Sequence, residues 1–214
     1  FSLDLDVFYN RINDFIFYRK LESVFGADSL VNVNGDDLMA FRFSQFDAQL
    51  SGLEMTLDIH PHPLDWLHFE NSFSYVLAKQ TNQPDSMKYL PFIPPPKWTA
   101  QVKATSKKNG DHLTNAYILF EAETNFKQDH IFTAFNTETP TPAYTIFNLG
   151  FGTEIVSSKR KLCSLYFIAN NITDVGYQSH LSRLKYASNN VVTGRRGVYN
   201  MGRNFSLKIL FPFG

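Results

Sequence analysis

The connections between predicted strands alternate between short and long along the whole chain. Apolar and polar residues alternate with period two in nine segments, which is typical of strands with one apolar face; the clearest are FSLDLDVFY, SGLEMTLDIH, WLHFENSFSYVLA and KWTAQVKAT. The short connections are NRIND, PHPLD, KKNGD with its Asn-Gly hairpin signal, and SSKRK, and a long segment follows each of them. In an up-and-down antiparallel barrel, alternate connections lie at the same end. The sequence therefore predicts short turns at one end and long loops at the other.

Strand length and composition favour a barrel that crosses a membrane. Strands of about ten residues, tilted by about 40°, span a hydrocarbon layer of about 25 Å. Aromatic residues make up 15% of the chain, and charged residues, at 19%, fall below the roughly 25% of ordinary globular proteins. No apolar run approaches the ~18 residues of a transmembrane helix. We expect an all-β, antiparallel up-and-down transmembrane β-barrel.

Two features predict that residues 1–214 are the C-terminal portion of a larger barrel. The chain begins at Phe1, without an initiator Met or a signal peptide. Nine strands is an odd number, whereas single-chain bacterial barrels have an even number. N-terminal strands are therefore expected to be missing. Within the chain, the apolar parity changes across Ser51 and Gly52, which is interpreted as a β-bulge or as the start of the regular strand.

The last strand keeps its alternation to the end of the chain. In GRNFSLKILFPFG, every second position from Phe205 onward is apolar, and polar Ser206 and Lys208 separate the first three of them. The five apolar residues are Phe205, Leu207, Ile209, Phe211 and Phe213. Terminal segments usually fray, because they gain little burial for the entropy that they lose. In a closed barrel the last strand pairs with the first, since hydrocarbon cannot hydrogen-bond an open edge. The five apolar side chains are predicted to face lipid.

Several short motifs, in order, resemble those of TonB-dependent outer-membrane receptors. The end of the chain, FIANNITDVGYQSHLSRLK followed by GRNFSLKILFPF, is similar to the family's closing turn, Tyr, loop and Gly-Arg-led strand. The matching residues are Asn171, Ile172, Thr173, Asp174, Tyr177, Gly202, Arg203 and Phe213. Upstream, YNRINDFI, SGLEMTLDIHP and LPFIPPPKWTAQV look like further segments of the same family. The resemblance covers nearly the whole chain.

This resemblance implies a 22-stranded barrel with a plug domain, in the outer membrane of a Gram-negative bacterium. Such a receptor takes up a scarce nutrient with energy passed through TonB. The implied partners are TonB, the plug domain of the same chain, outer-membrane lipid and the barrel-assembly machinery. The five apolar residues that end at Phe213 resemble the signal that this machinery recognises. Gly214 departs from the family, which usually ends on the aromatic residue. The stretches ETPTPAY, HLSRLK and GRNF look closer to the metal and siderophore branch, including zinc receptors, than to the glycan-import branch.

Candidate substrate contacts lie in the long loops. Imidazole with carboxylate suits a divalent transition metal, whereas aromatic and cationic groups suit a ferric siderophore or another anionic chelate. The predicted substrate-binding residues are Asp129, His130, Tyr177, His180 and Arg183, and Lys185, Arg195 and Arg196 share the last loop. The alternative is that these are ordinary solvated loop residues. His60 and His62 are interpreted as parts of a solvated turn, and His68 and His112 as lumenal or interfacial.

Other classes of function find little support. Lys+Arg and Asp+Glu are balanced at 20 each, which gives no reason to expect nucleic acid. The sequence has no nucleophile elbow, His-Glu-x-x-His or P-loop, so neither an enzyme nor a cofactor is predicted. The single Cys163 excludes an internal disulfide. Two alternatives stay open: an outer-membrane lipase that uses Ser72 and His68, and a soluble β-sandwich binding module.

Overall fold

A computed structural model describes residues 1–106, 112–158 and 160–212. The strands are β1 Ser2–Lys20, β2 Leu30–Val33, β3 Asp36–Met39, β4 Phe41–Ile59, β5 Leu67–Gln80, β6 Lys97–Thr105, β7 Leu113–Asn125, β8 Tyr144–Ser157, β9 Arg160–Asn170 and β10 Asn204–Leu210. Eight antiparallel strands form one sheet in the order β1-β4-β5-β6-β7-β8-β9-β10, and β2 and β3 form a separate hairpin. Short 3-10 helices cover Asp85–Met87, Ala134–Asn136 and Arg183–Tyr186. The predicted all-β antiparallel architecture is confirmed.

The two ends of the sheet differ in the length of their connections. Successive strands of the large sheet are neighbours. One end of the sheet, which we call the short-turn end, therefore holds the strand ends at Ile59 and Leu67, at Thr105 and Leu113, and at Ser157 and Arg160. The other end carries loop 1 (21–40), loop 2 (81–96), loop 3 (126–143) and loop 4 (171–203). The predicted alternation is confirmed for these connections. The Asn-Gly signal in KKNGD lies outside the described residues.

The predicted turn at NRIND is wrong, because the first two predicted strands form the single strand β1. Its partner β4 is equally long, and their pairing shifts register between Ile12 and Phe15. Asp14 adopts a φ of 55° there, which Asp tolerates better than most residues. Its N–H donates to Asp47 Oδ1 at 3.1 Å, so the irregularity is held as a bulge within the strand. The sheet thus has eight strands, and the argument from an odd number no longer applies.

The region around β4 differs from the prediction in two further ways. Asn34-Gly35 forms the two-residue turn of the hairpin β2–β3, with φ values of 54° and 94°, as primed hairpin turns require. The predicted bulge at Ser51 and Gly52 is absent from this described stretch, since β4 pairs in continuous register across both residues. A Cβ at Gly52 would lie 2.3 Å from the Phe8 ring, so the missing side chain makes room for that ring.

Strand register collects the apolar side chains on one face of the sheet and polar ones on the other. Directly paired residues share a face, and the pairing places on the apolar face Leu3, Leu5, Val7, Leu53, Met55, Leu57, Phe69, Phe73, Trp98, Val102, Ile118, Phe120, Phe147, Leu149, Phe151, Leu165, Phe167, Phe205, Leu207 and Ile209. The polar face includes Asp4, Glu54, Asp58, His68, Glu70, Gln101, Glu121, Asn148 and Lys208. Apolar-out and polar-in alternation is the pattern of a transmembrane barrel.

The apolar face has no covering layer in the described part of the chain. Leu5 is 58% exposed and Leu207 is 65% exposed. A β-sandwich buries the facing sides of two packed sheets, but the described residues form one large sheet and bury only seven apolar side chains. The sandwich alternative is therefore not supported. No helix in the described residues has the length and apolar character needed to cross a membrane.

Candidate functional site

A buried carboxylate joins three of the long loops. Glu138 of loop 3 is 5% exposed. Its Oε1 accepts a hydrogen bond from the Phe92 N–H of loop 2 at 2.7 Å, and its Oε2 accepts one from the Phe132 N–H at 2.9 Å. His180 of loop 4 places Nε2 at 3.4 Å from Oε1. Glu138 is therefore the point at which loops 2, 3 and 4 meet, and we call this set of contacts the loop cluster.

Two polar side chains, His180 and Lys185, anchor loop 4 to loop 3. His180 Nδ1 lies 2.8 Å from Thr141 Oγ1. The Lys185 ammonium donates to Thr139 O and to Thr141 Oγ1, both at 2.7 Å. Burial lowers the pKa of Lys185, while the nearby Glu138 carboxylate opposes that shift. Since buried polar groups need such partners, these bonds fix the path of loop 4 over loop 3.

Aromatic packing fixes loop 3 against the sheet. Phe132 is fully buried, and its ring meets the edge of the Phe17 ring of β1 at a centroid distance of 5.8 Å. Gln128 Nε2 donates to Ile93 O at 3.0 Å and to Pro94 O at 3.1 Å, which ties loop 3 to loop 2. The loop cluster is thus a packed layer rather than a set of independent loops.

Two clefts open beside the loop cluster. Cleft A, about 420 Å³, lies between loops 3 and 4 and is lined by aromatic and cationic side chains, which include Tyr144, Tyr177, Lys185, Tyr186, Arg196 and Tyr199. Cleft B, about 570 Å³, adjoins β1, β4 and loops 1 to 4, and its lining includes Lys20, Asp28, Phe41, Phe92 and Arg183. Tyr186 and Arg196 line both clefts. The two clefts are therefore adjacent.

Particular side chains set the chemistry of each cleft. In cleft A, the Tyr144 and Tyr177 rings stack with their centroids 4.4 Å apart. Burial raises the pKa of the Tyr177 phenol, which remains a hydrogen-bond donor at neutral pH. In cleft B, the Arg183 guanidinium lies 4.9 Å from the Phe92 ring centroid and 5.6 Å from that of Phe41. Both clefts offer aromatic rings next to positive charge.

The structure separates the five predicted substrate contacts. Tyr177 lines cleft A and Arg183 lines cleft B. His180 is 2% exposed and belongs to the buried contacts around Glu138. Asp129 pairs with Lys127 at 2.9 Å, and that hydrogen bond and charge lower the pKa of Asp129.

His130 stacks on Tyr89 at a centroid distance of 4.9 Å. Neither His130 nor Asp129 lines cleft A or cleft B.

Sequence reasoning did not single out Glu138, Tyr144 or Tyr186. Glu138 and Tyr144 stand in the stretch ETPTPAY, whose resemblance to the metal and siderophore branch concerns the stretch as a whole. A polar residue in a Pro-rich loop gives no local sign of burial. For Glu138 that burial depends on Phe92, 46 residues away.

Comparison with known proteins agrees with this architecture. Residues 1–172 match a family model described as TonB dependent receptor-like, beta-barrel. The chain belongs to the TonB-dependent receptor family. A comparison with curated proteins found no match.

Two solved structures share the fold of this chain. "Copper transporter OprC" superposes with a TM-score of 0.74 at 16% identity, covering 99% of this chain and 28% of that one. BauA, "the Ferric preacinetobactin receptor from Acinetobacter baumannii", gives a TM-score of 0.58 at 12% identity, covering 98% of this chain and 27% of that one. The chain therefore spans little more than a quarter of the solved chains, and at this identity the likeness concerns the fold.

The lipase alternative does not fit this barrel segment. His68 and Ser72 both lie on the polar face of β5, not on the apolar face. They are four residues apart in one strand, which separates their Cα atoms by about 13 Å. The serine hydroxyl is therefore beyond hydrogen-bond reach of the imidazole that would activate it.

Proposed function

We propose that this chain forms part of the barrel of an outer-membrane transporter that takes up a metal ion, a siderophore or a similar metal chelate. Membership of the TonB-dependent receptor family supports the role of receptor or transporter. TonB and a plug domain are the partners that the family implies. The side chains that line the clefts beside the loop cluster support a metal chelate as the cargo.

The orientation of the chain follows from its two unequal ends. Outer-membrane barrels have short periplasmic turns and long extracellular loops. By this rule loops 1 to 4 face the cell exterior, and the short-turn end faces the periplasm. Clefts A and B are thus proposed to open where cargo arrives.

The lining of cleft A carries the proposal for cargo. Four Tyr rings converge there with the side chains of Lys185 and Arg196. Cations attract the negative charge of a ferric siderophore or other anionic chelate, and aromatic rings pack against its organic frame. The Lys185 ammonium already donates to loop 3 acceptors at 2.7 Å. Arg196, which lines both clefts, is therefore the cation that we assign to cargo.

Replacing Arg196 with alanine in the full-length receptor should weaken uptake of the chelate by about tenfold or more. A hydrogen bond to a charged group contributes about 1.5–3 kcal/mol, and 1.4 kcal/mol corresponds to a factor of ten. The measurement is growth of a deletion strain under iron or zinc limitation, complemented with each variant, together with cargo binding to purified receptor. Tyr177→Ala should reduce binding in the same direction.

Lys127→Ala is the matched control. It also removes one loop cation, but Lys127 pairs with Asp129 and does not line cleft A or cleft B. Growth and binding should stay at the level of the unmodified receptor. Equal losses for Lys127→Ala and Arg196→Ala would contradict the assignment of cleft A. Unchanged growth of the deletion strain under both limitations would contradict metal uptake altogether.

A further inference from the structure

Three metal-ligating side chains converge at the short-turn end, opposite to the clefts. Asp58 is the penultimate residue of β4, His60 follows that strand, and His68 is the second residue of β5. Asp58 Oδ1 lies 2.8 Å from His68 Nε2 and 3.2 Å from His60 Nε2. The two imidazole centroids are 4.0 Å apart. One ligand atom from each of the three side chains thus lies within 4.8 Å of the other two.

The pairing of β4 with β5 brings these three residues together. The β4–β5 pairing continues to Ile59 opposite Phe69, so the next pair brings His60 opposite His68 on the polar face. The connecting turn is closed by a bond from the Leu67 N–H to Leu64 O at 2.8 Å. Asp58 and His68 are carried by these paired strands, and such side chains hold their positions more firmly than loop residues do; His60 directly follows β4.

The short contacts among the three residues lack the geometry of hydrogen bonds. Asp58 Oδ1 and His68 Nε2 are both shielded from solvent, and neither atom has a hydrogen-bond partner in the described part of the chain. They are close enough for a hydrogen bond at 2.8 Å but lack its geometry. A cation between them would satisfy both atoms.

The surroundings also suit a bound cation. His60 is 56% exposed, so an ion can reach the group from solvent. Lys103 lies opposite His68 in the pairing of β5 and β6, but its ammonium lies 5.0 Å from the Tyr117 ring centroid. The Lys103 charge therefore interacts with an aromatic ring of the neighbouring strand β7.

We propose that Asp58, His60 and His68 form a binding site for a divalent transition metal ion at the short-turn end of the polar face. Two imidazoles and a carboxylate are donors that Zn²⁺ prefers, at about 2.0–2.2 Å from the ion. Hard ions such as Ca²⁺ and Mg²⁺ favour all-oxygen sites instead. Three protein ligands leave one tetrahedral position open, so the ion can exchange. The inference rests on these side chains and is independent of the proposed cargo.

Zn²⁺ titration of the full-length receptor, purified in detergent and stripped with a chelator, tests the site. Asp58→Asn, His60→Gln and His68→Gln should each weaken binding by at least about tenfold, because even groups that only orient metal ligands contribute roughly 10–100-fold. The triple variant should bind one Zn²⁺ fewer. Co²⁺ substituted for Zn²⁺ should give a visible absorption band that the triple variant lacks.

His62→Gln is the matched control, because His62 lies in the same turn, is 87% exposed and pairs with Asp65. It should bind Zn²⁺ like the unmodified receptor. Heat-modifiable migration on gels checks that each variant is folded, and the conservative Asp58→Asn keeps the shape of the side chain. Equal Zn²⁺ stoichiometry in the unmodified and triple-variant receptors would overturn the proposal. If the unmodified receptor bound no Zn²⁺, the three residues would form ion pairs only, and the proposal would be overturned as well.

Discussion

The Glu138→Ala receptor should keep its strands and release loops 2, 3 and 4 from one another. The carboxylate accepts the N–H groups of Phe92 and Phe132 at 2.7 Å and 2.9 Å and faces His180. Alanine leaves both N–H groups without an acceptor, at a cost of about 1–3 kcal/mol each. The eight-stranded sheet has its own ladder of pairing, so the loss should stay within the loops.

Hydrogen exchange of the full-length receptor measures this effect. Amides of 81–96, 126–143 and 171–203 should exchange at least about tenfold faster in Glu138→Ala, since 1.4 kcal/mol of lost protection corresponds to a factor of ten. Amides of the strands should keep their rates. Glu138→Gln should be intermediate, because its amide oxygen can still accept one of the two bonds.

Asp129→Ala is the matched control, because it also removes one carboxylate from loop 3. Asp129 is in the same loop, but its side chain is 51% exposed and pairs with Lys127, and exposed pairs contribute little to stability. Loop exchange in this variant should match that of the unmodified receptor. If Glu138→Ala gave the same pattern as Asp129→Ala, Glu138 would not be the residue that joins the loops.

The sheet could be predicted from sequence because its signal is local. Alternation along Leu3, Leu5 and Val7 indicates one apolar face without knowledge of the partner strand, and the pairing confirms it. The turn predicted at NRIND is wrong because Asn and Asp favour turns and also tolerate the positive φ of a bulge. Only the equally long partner β4 decides between a turn and a bulge.

The candidate sites depend on contacts that are distant in sequence. Glu138 meets Phe92 from 46 residues away, and no local pattern marks such a pair. The approach of His60 to His68 follows from strand register, which a sequence alone specifies poorly when the turn length is uncertain. Residue type identified Tyr177 and Arg183 as candidates, and the path of loop 4 places them in separate, adjacent clefts.

Arginine in place of Met55, on the apolar face, should prevent normal assembly of the barrel. Arginine in place of Thr56, the next residue of the same strand, should be tolerated. Met55 of β4 pairs with Leu5 and Phe73 on the apolar face. It lies four residues from the end of β4 at Ile59, which is about 10 Å along the membrane normal and near the middle of a ~25 Å band. Arginine near the midplane costs about 2–4 kcal/mol on the lipid face. Met55→Arg should therefore lower the free energy of unfolding by about that amount.

Thr56→Arg is the matched variant, because Thr56 pairs with Asp4 and Ser72 on the polar face. A new cation opposite Asp4 contributes about 0.2–1 kcal/mol of favourable pairing, so stability should be unchanged or slightly higher. Urea unfolding of full-length receptor in lipid vesicles measures the free energies, and the heat-modifiable fraction in outer-membrane preparations measures assembly. Equal effects of the two substitutions, or a greater effect of Thr56→Arg, would mean that lipid does not cover the apolar face. A selective loss in Met55→Arg would instead assign that face to lipid, because arginine in a lumen or in water carries no such cost.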